Sequence, residues 1–195
     1  ESQKNILNNS LQNKTMAMIF KKNSTRTRVA FETAMVKLGG HAIFLSSDTT
    51  QITRGENLAD TAKVLSGMVD IIMIRTHNHG EVEELANNSS VPIINGLTEK
   101  YHPCQLLADM QTYHEERGSI EGKTVAWIGD GCNMCNSYIN AAKILNFKLK
   151  ISTPSGFEPD HKTLMLAKDN VELCDLPGQA VEDCDLVTTD VWTSM

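Results

Sequence analysis

At 195 residues, with 41% apolar and 22% charged side chains, the chain has the composition of an ordinary globular protein with enough apolar surface to bury a core. A formal net charge of −6 argues against a nucleic-acid binder as a whole, although a local basic pocket can still hold a small anion. The longest apolar runs, KTMAMIF at 14–20 and VDIIMI at 69–74, are far shorter than the ~20 residues of a bilayer-crossing helix, and no membrane partner is expected. Five cysteines, an odd number scattered along the chain, suit a reducing compartment, with the cytoplasm as the expected location.

In chain order the pattern alternates short apolar runs with segments of helical period. A strand over 14–20 leads to a helix over 24–38, a strand over 41–45, a helix near 57–67 and a strand over 69–75. A helix near 79–87, the short strand PIIN at 92–95 and a helix from Pro103 to Arg117 follow, with Gly118 as the stop. A second series opens with KTVAWIG at 123–129. It continues with a helix at about 134–146, KLKIST at 148–153, a helix near 159–169, VEL at 171–173 and DLVTTDV at 185–191. This βα order predicts two doubly wound parallel-sheet α/β domains, 1–118 and 119–195. The chain opens on Glu1 and stops at Met195 just after a strand that would feed a further loop and helix, so the second domain is expected to be incomplete.

Between the first strand and helix lies FKKNSTRTRVAFE, where Ser24, Thr25, Arg26 and Thr27 fall on a first helical turn whose N–H groups lack partners. Those donors, the helix dipole, three hydroxyls and a guanidinium fork make an anion site, with phosphate as the best fit. Taken alone, the segment reads more simply as an N-cap serine beside solvated arginines. Likewise HPCQ at 102–105 places Pro103 at the first helical position, His102 at the N-cap and Gln105 three residues on, near the same face. A histidine before proline is also a common surface cap. Leu106, Leu107 and Met110 read as core.

The run STRTRVAFE resembles the carbamoyl-phosphate loop of the transcarbamylases. Q-I-T-R-G-E at 51–56, M-I-R-T at 73–76 and H-P-C-Q at 102–105 follow in that family's order and spacing. The resemblance runs on through W-I-G-D-G-x-N at 127–133 to D-V-W-T-S-M at 190–195 and is nearest to the ornithine carbamoyltransferases. It implies transfer of a carbamoyl group from carbamoyl phosphate to the side-chain amine of L-ornithine, giving L-citrulline and phosphate in arginine metabolism, the biosynthetic or catabolic direction being left open. By the same resemblance Ser24, Thr25, Arg26 and Thr27 hold phosphate, Arg75 reaches phosphate and carbonyl oxygen, and His102 with Thr27 polarises that oxygen. Pro103, Cys104 and Gln105 complete the carbamoyl-phosphate site, with the Gln105 carbonyl accepting from the carbamoyl NH2. Arg75, His102 and Thr27 are thus the expected catalytic residues, acting as an oxyanion site acts.

Gln51 lies in a loop that the family inserts into a neighbouring subunit's phosphate site, implying a homotrimer with shared active sites; an ordinary loop glutamine is the alternative, and Arg54 and Glu56 can simply brace that loop. Asn133 is implied to bind the acceptor's carboxylate, Asp190 and Ser194 its α-ammonium, with the Met195 backbone assisting. The chain has Cys132 where the family commonly has Asn. The family also carries, beyond the position of Met195, an H-C-L-P segment and a late Arg that complete both sites.

Other motifs are weaker. Gly129-Asp130-Gly131 follows a buried strand as a dinucleotide turn does, but Met134 stands where the third glycine is needed. Cys132 and Cys135 form a single CxxC, too few ligands for a metal, and no metal or organic cofactor is expected. His77 and His79 read as solvated, and Cys104, Cys174 and Cys184 as core or near-core. The alternatives kept open are a sister transcarbamylase acting on putrescine, N-acetylornithine or aspartate, and a non-catalytic phosphate-binding scaffold.

Overall fold

The computed structural model describes residues 9–46 and 57–190. The chain divides into two compact units, Glu1–Thr98 and Glu99–Met195.

The first unit runs β1 (Thr15–Phe20), α1 (Thr25–Lys37), β2 (His41–Ser46), α2 (Leu58–Ser66), β3 (Ile71–Arg75), α3 (His79–Asn88) and β4 (Ile93–Leu97). Its sheet has the order β2-β1-β3-β4, and all three pairings are parallel. β1 is central, and every residue from Met16 to Phe20 is buried, because helices cover both faces of a parallel sheet. Alternation along β1 divides the core in two. Ala17 and Ile19 pack with Leu58 and Ala62 of α2, Val82 and Leu85 of α3, and Ile72 and Ile74 of β3. Met16, Met18 and Phe20 pack on the other face with Met73 and with Met35 of α1.

The second unit begins with α4 (Pro103–Arg117), then β5 (Thr124–Ile128), α5 (Asn133–Ile144), β6 (Lys148–Ser152), α6 (His161–Leu166), β7 (Val171–Leu173), α7 (Pro177–Val181) and β8 (Leu186–Thr188). Its sheet is again all parallel, in the order β7-β6-β5-β8. α4 and α6 pack on α5, and Trp127 and Val125 of β5 lie in one core with Leu106, Met110 and Tyr113 of α4 and Tyr138 and Ile139 of α5. α5 is buried over most of its circumference, as befits a helix with neighbours on several sides. α7 packs on β5 and β6, with Ala180 fully buried.

α4 packs within the second compact unit, so these units divide at 98/99. One expectation is revised: Leu107 is 64% exposed, not core. Leu106, Met110 and Tyr113 recur at i, i+4 and i+7 and define the inward face of α4, and Leu107 lies about 100° round from Leu106. The helix stop at Gly118 occurs as expected, with φ at 83°. α7 was not expected at all; Pro177-Gly178 reads as a turn, although Pro at the first helical position starts the helix here.

Candidate active site

Each sheet has one place where successive connections leave in opposite directions, and open α/β sheets bind ligands at the carboxyl ends of the strands there. In the first unit that place lies between β1 and β3. The chain leaving β1 enters α1 through its N-cap Ser24, and the residue ending β3 is Arg75. Ser24 Oγ accepts the Thr27 N–H at 3.3 Å and donates to Thr27 Oγ1 at 3.0 Å. Arg75 Nη1 donates to the same Thr27 oxygen at 3.1 Å, although 48 residues separate them. The N–H groups of Thr25 and Arg26 belong to the first turn, where helices have donors to offer. Thr25 and Arg26 are exposed on that turn. Arg28 points elsewhere: it pairs with Glu32 at 2.9 Å and lies 3.7 Å over the Phe44 ring.

Arg75 is 9% exposed, and a slip in strand register aims it. Ile74 pairs with Asn95 and Arg75 with Leu97, so Gly96 is the extra residue of a bulge. A Cβ at Gly96 would lie 2.7 Å from Met73 Sδ, so the bulge closes tightly on β3. Beside Arg75, Thr76 donates to Glu81, and Lys21 pairs with the same carboxylate at 2.5 Å. His77 is exposed, as expected; His79 instead bonds Thr98 at 3.2 Å and lies 3.8 Å from Glu83.

In the second unit the corresponding place lies between β5 and β8. Gly129, with φ at 132°, turns the chain out of β5, and α5 starts at Asn133 with Cys132 as N-cap. Asp190 follows β8, and Cys132 Sγ donates to its Oδ2 at 3.4 Å. Burial pushes the Cys132 thiol up; the N–H groups of Cys135 and Met134 oppose this, and nearby Asp190 adds to it, so the sulfur stays a donor. Burial also raises the Cys135 thiol. Cys104, Cys174 and Cys184 are only partly buried.

α4 starts beside α5. Pro103 is its first residue and His102 its N-cap, as expected, but the His102 side chain does not cap the helix. The His102 N–H instead donates to Ser137 Oγ at 2.8 Å, and Ser137 donates to the Asn133 carbonyl at 2.7 Å. Two helix N-termini, carrying His102 to Gln105 and Asn133, are thereby stitched together with their positive ends adjacent. Gln105 is exposed and donates to Asp109, one turn on, at 2.9 Å.

The structure thus joins Ser24, Thr27 and Arg75 in one unit; in the other, Ser137 links the helix start that carries His102, Pro103, Cys104 and Gln105 to that of Asn133, and Cys132 links the latter to Asp190. Gln51, Arg54, Glu56, Ser194 and Met195 lie outside the described residues. Among the described residues no group of three His, Cys, Asp or Glu side chains is placed to hold a metal, and no helix is long and apolar enough to cross a membrane. Asp109 was not singled out from the sequence, although its i, i+4 spacing from Gln105 was there to be seen.

Family models match both halves: the carbamoyl-P binding domain of aspartate/ornithine carbamoyltransferase over residues 1–115, and the Asp/Orn binding domain over 121–195. The ornithine carbamoyltransferase of Hydrogenovibrio crunogenus is 60% identical over 185 residues, which are 95% of this chain and 61% of that protein. That of Nitrosococcus oceani is 57% identical over the same shares. Among solved structures, the ornithine carbamoyltransferase of Burkholderia thailandensis superposes with a TM-score of 0.90 at 52% identity, over 95% of this chain and 64% of that one. The Pyrococcus furiosus enzyme gives 0.89 at 47% identity, over 96% and 62%. The chain spans about 61% of the length of the curated relatives it matches.

Proposed function

Because the chain belongs to the aspartate/ornithine carbamoyltransferase family, we propose that the intact protein transfers the carbamoyl group of carbamoyl phosphate to the side-chain amine of L-ornithine, giving L-citrulline and phosphate. The observation that carries this reading is the hydrogen-bonded set Ser24, Thr27 and Arg75 at the switch point of the first sheet. Residues 1–118 serve as the carbamoyl-phosphate domain and 119–195 as part of the ornithine domain.

The reaction requires an uncharged amine to attack a carbonyl carbon whose oxygen becomes negative while phosphate departs. The first turn of α1, with Ser24, Thr25, Arg26 and Thr27, binds the phosphate. Buried Arg75 spans phosphate and carbonyl oxygen, and its anchor on Thr27 fixes the guanidinium before substrate arrives, so little reorganisation is left for the transition state. His102 and Thr27 add donors to the carbonyl oxygen, and Pro103, Cys104 and Gln105 line the carbamoyl group. Asn133, at a helix N-terminus, receives the amino acid's carboxylate. Asp190, with Ser194 and the Met195 backbone, receives its α-ammonium. The proton lost by the amine passes to the departing phosphate. Positioning and charge suffice for an activated donor of this kind, and neither metal nor organic cofactor is called for. Gln51 reaches a neighbouring subunit's phosphate, the assembly is a trimer, and the enzyme works in the cytoplasm.

The test is citrulline formation by the intact protein with a panel of acceptors: ornithine, N-acetylornithine, putrescine and aspartate. Ornithine is expected to be carbamoylated fastest; faster reaction with any other acceptor moves the protein to a sister activity, and no reaction with any refutes the proposal.

A further inference from the structure

The Gln105 amide is exposed, and an exposed amide can rotate to present either its oxygen or its NH2. Here one side is committed. Gln105 Nε2 donates to Asp109 Oδ1 at 2.9 Å, and a carboxylate can only accept, so the Gln105 oxygen must face away from it. Asp109 is not an ordinary surface carboxylate. Its other oxygen, Oδ2, accepts from the hydroxyl of Tyr138 on α5 at 3.0 Å. The Tyr138 side chain is 1% exposed and packed against Trp127 with ring centroids 5.7 Å apart, so the hydroxyl cannot swing. Thr188, the last residue of β8, donates to that same hydroxyl at 3.5 Å. Burial also raises Tyr138 well above an ordinary phenol, which keeps the proton on the oxygen and the hydroxyl a donor.

We propose that Asp109 is a positioning residue: clamped by Tyr138, it fixes the Gln105 amide with its oxygen turned outward, as an acceptor for the NH2 of the carbamoyl group. This rests on the function proposed above. A Gln–Asp pair at i, i+4 also stabilises a bare helix, but that role is indifferent to which end of the amide faces outward. Recognition of the donor is not. With the amide reversed, an NH2 would meet an NH2, and both donors would lose their acceptor.

The two roles separate in the intact protein. In Asp109→Asn the replacement amide keeps its oxygen toward Tyr138 and turns its NH2 toward Gln105. Gln105 then flips to offer its oxygen inward, so the helix keeps its hydrogen bond while the outward group becomes NH2. The expected result is a loss of roughly tenfold to a hundredfold in kcat/KM for carbamoyl phosphate, with the affinity for inorganic phosphate and the thermal midpoint unchanged. Adding Gln105→Glu to that variant presents a carboxylate oxygen outward whichever way the side chain turns, and should recover most of the loss. Unchanged kcat/KM in Asp109→Asn, or a double variant no better than the single one, overturns the proposal. Should Asp109→Asn fail to fold, Tyr138→Phe loosens the same clamp; it should lower kcat/KM for carbamoyl phosphate about threefold at unchanged phosphate affinity, and no change overturns the proposal. An unmutated protein that makes no citrulline refutes the function itself and is recognised before any variant is compared.

Discussion

Gly131→Ala tests whether the loop that starts α5 is as tightly held as the geometry indicates. A Cβ at Gly131 would lie 2.3 Å from Pro159 N, 2.5 Å from the Glu158 carbonyl carbon and 2.7 Å from Phe157 O, all of them backbone atoms. None can rotate away as a side chain could, and the Gly131 N–H already donates to Phe157 O at 2.8 Å. One of the two segments must therefore move by the better part of an ångström, and forced overpacking of that kind costs about 1–3 kcal/mol. Asn133, proposed above to receive the acceptor's carboxylate, is two residues on, and in that role a displacement on this scale can cost about a hundredfold in rate. Guanidinium unfolding of the intact protein, followed by fluorescence, reads the first effect. Trp127 is suited to it, being 1% exposed with Nε1 bonded to Asp130 O at 3.1 Å in the same loop. Ornithine kinetics at saturating carbamoyl phosphate read the second. Gly118→Ala is the control: its φ of 83° is strained for alanine, at a cost of roughly 1–3 kcal/mol, but nothing lies within 4 Å, and acceptor kinetics should be untouched. Unchanged stability together with unchanged ornithine kinetics in Gly131→Ala would refute the close approach.

Arg75→Ala should lower kcat by about 10²–10³ and weaken inorganic phosphate far less, because most of its role develops with the oxyanion; equal losses in a calorimetric titration and in turnover would contradict that. Asp190→Asn should raise KM for ornithine and narrow the preference for ornithine over putrescine while leaving carbamoyl phosphate KM nearly intact, which steady-state kinetics with both amines will show. Asp160 caps α6, and the hydrogen bond from the Thr163 hydroxyl, with the Thr163 N–H and Lys100 behind it, holds its carboxyl below the ordinary 3.8. The folded state therefore binds fewer protons, so this contribution is present above about pH 3.8 and is lost as pH falls through the folded value. Asp160→Asn keeps the cap but not the titration, and its unfolding midpoint should fall less steeply between pH 4 and pH 2; an identical slope would remove Asp160 from the acid transition.

How much of this was legible in the sequence depended on whether the signal was local. β1 and β5 were readable because strands buried on both faces are unbroken apolar runs, and α1 and α4 because Ser24 and Pro103 mark their starts. Five-residue α7 was not, since it is too short to show a period and begins with Pro-Gly. The anion loop was readable as a helix start, but its bond to Arg75 joins residues 48 apart and exists only because β1 and β3 are neighbours. The Gly96 bulge that aims Arg75 depends on pairing register, which no single strand contains. Gly131 shows the same limit from the other side. Gly131 has the spacing of a dinucleotide turn that Met134 already breaks, and what needs a glycine there, the chain's own backbone at 157–159, lies more than twenty residues away.

On the function proposed above, the phosphate-side set Ser24, Thr27 and Arg75 stands at one sheet and the acceptor-side residues Asn133 and Asp190 at the other, which has a consequence for how such a protein can diverge. The loops leaving β5 and β8, which carry Asn133 and Asp190, share no strand with those leaving β1 and β3. On that proposal, replacements there change the amine that is accepted without disturbing the bond between Arg75 and Thr27. Selection can therefore explore new acceptors while the phosphate-side contacts of the first sheet are inherited whole, as interchangeable tool heads are fitted to one handle.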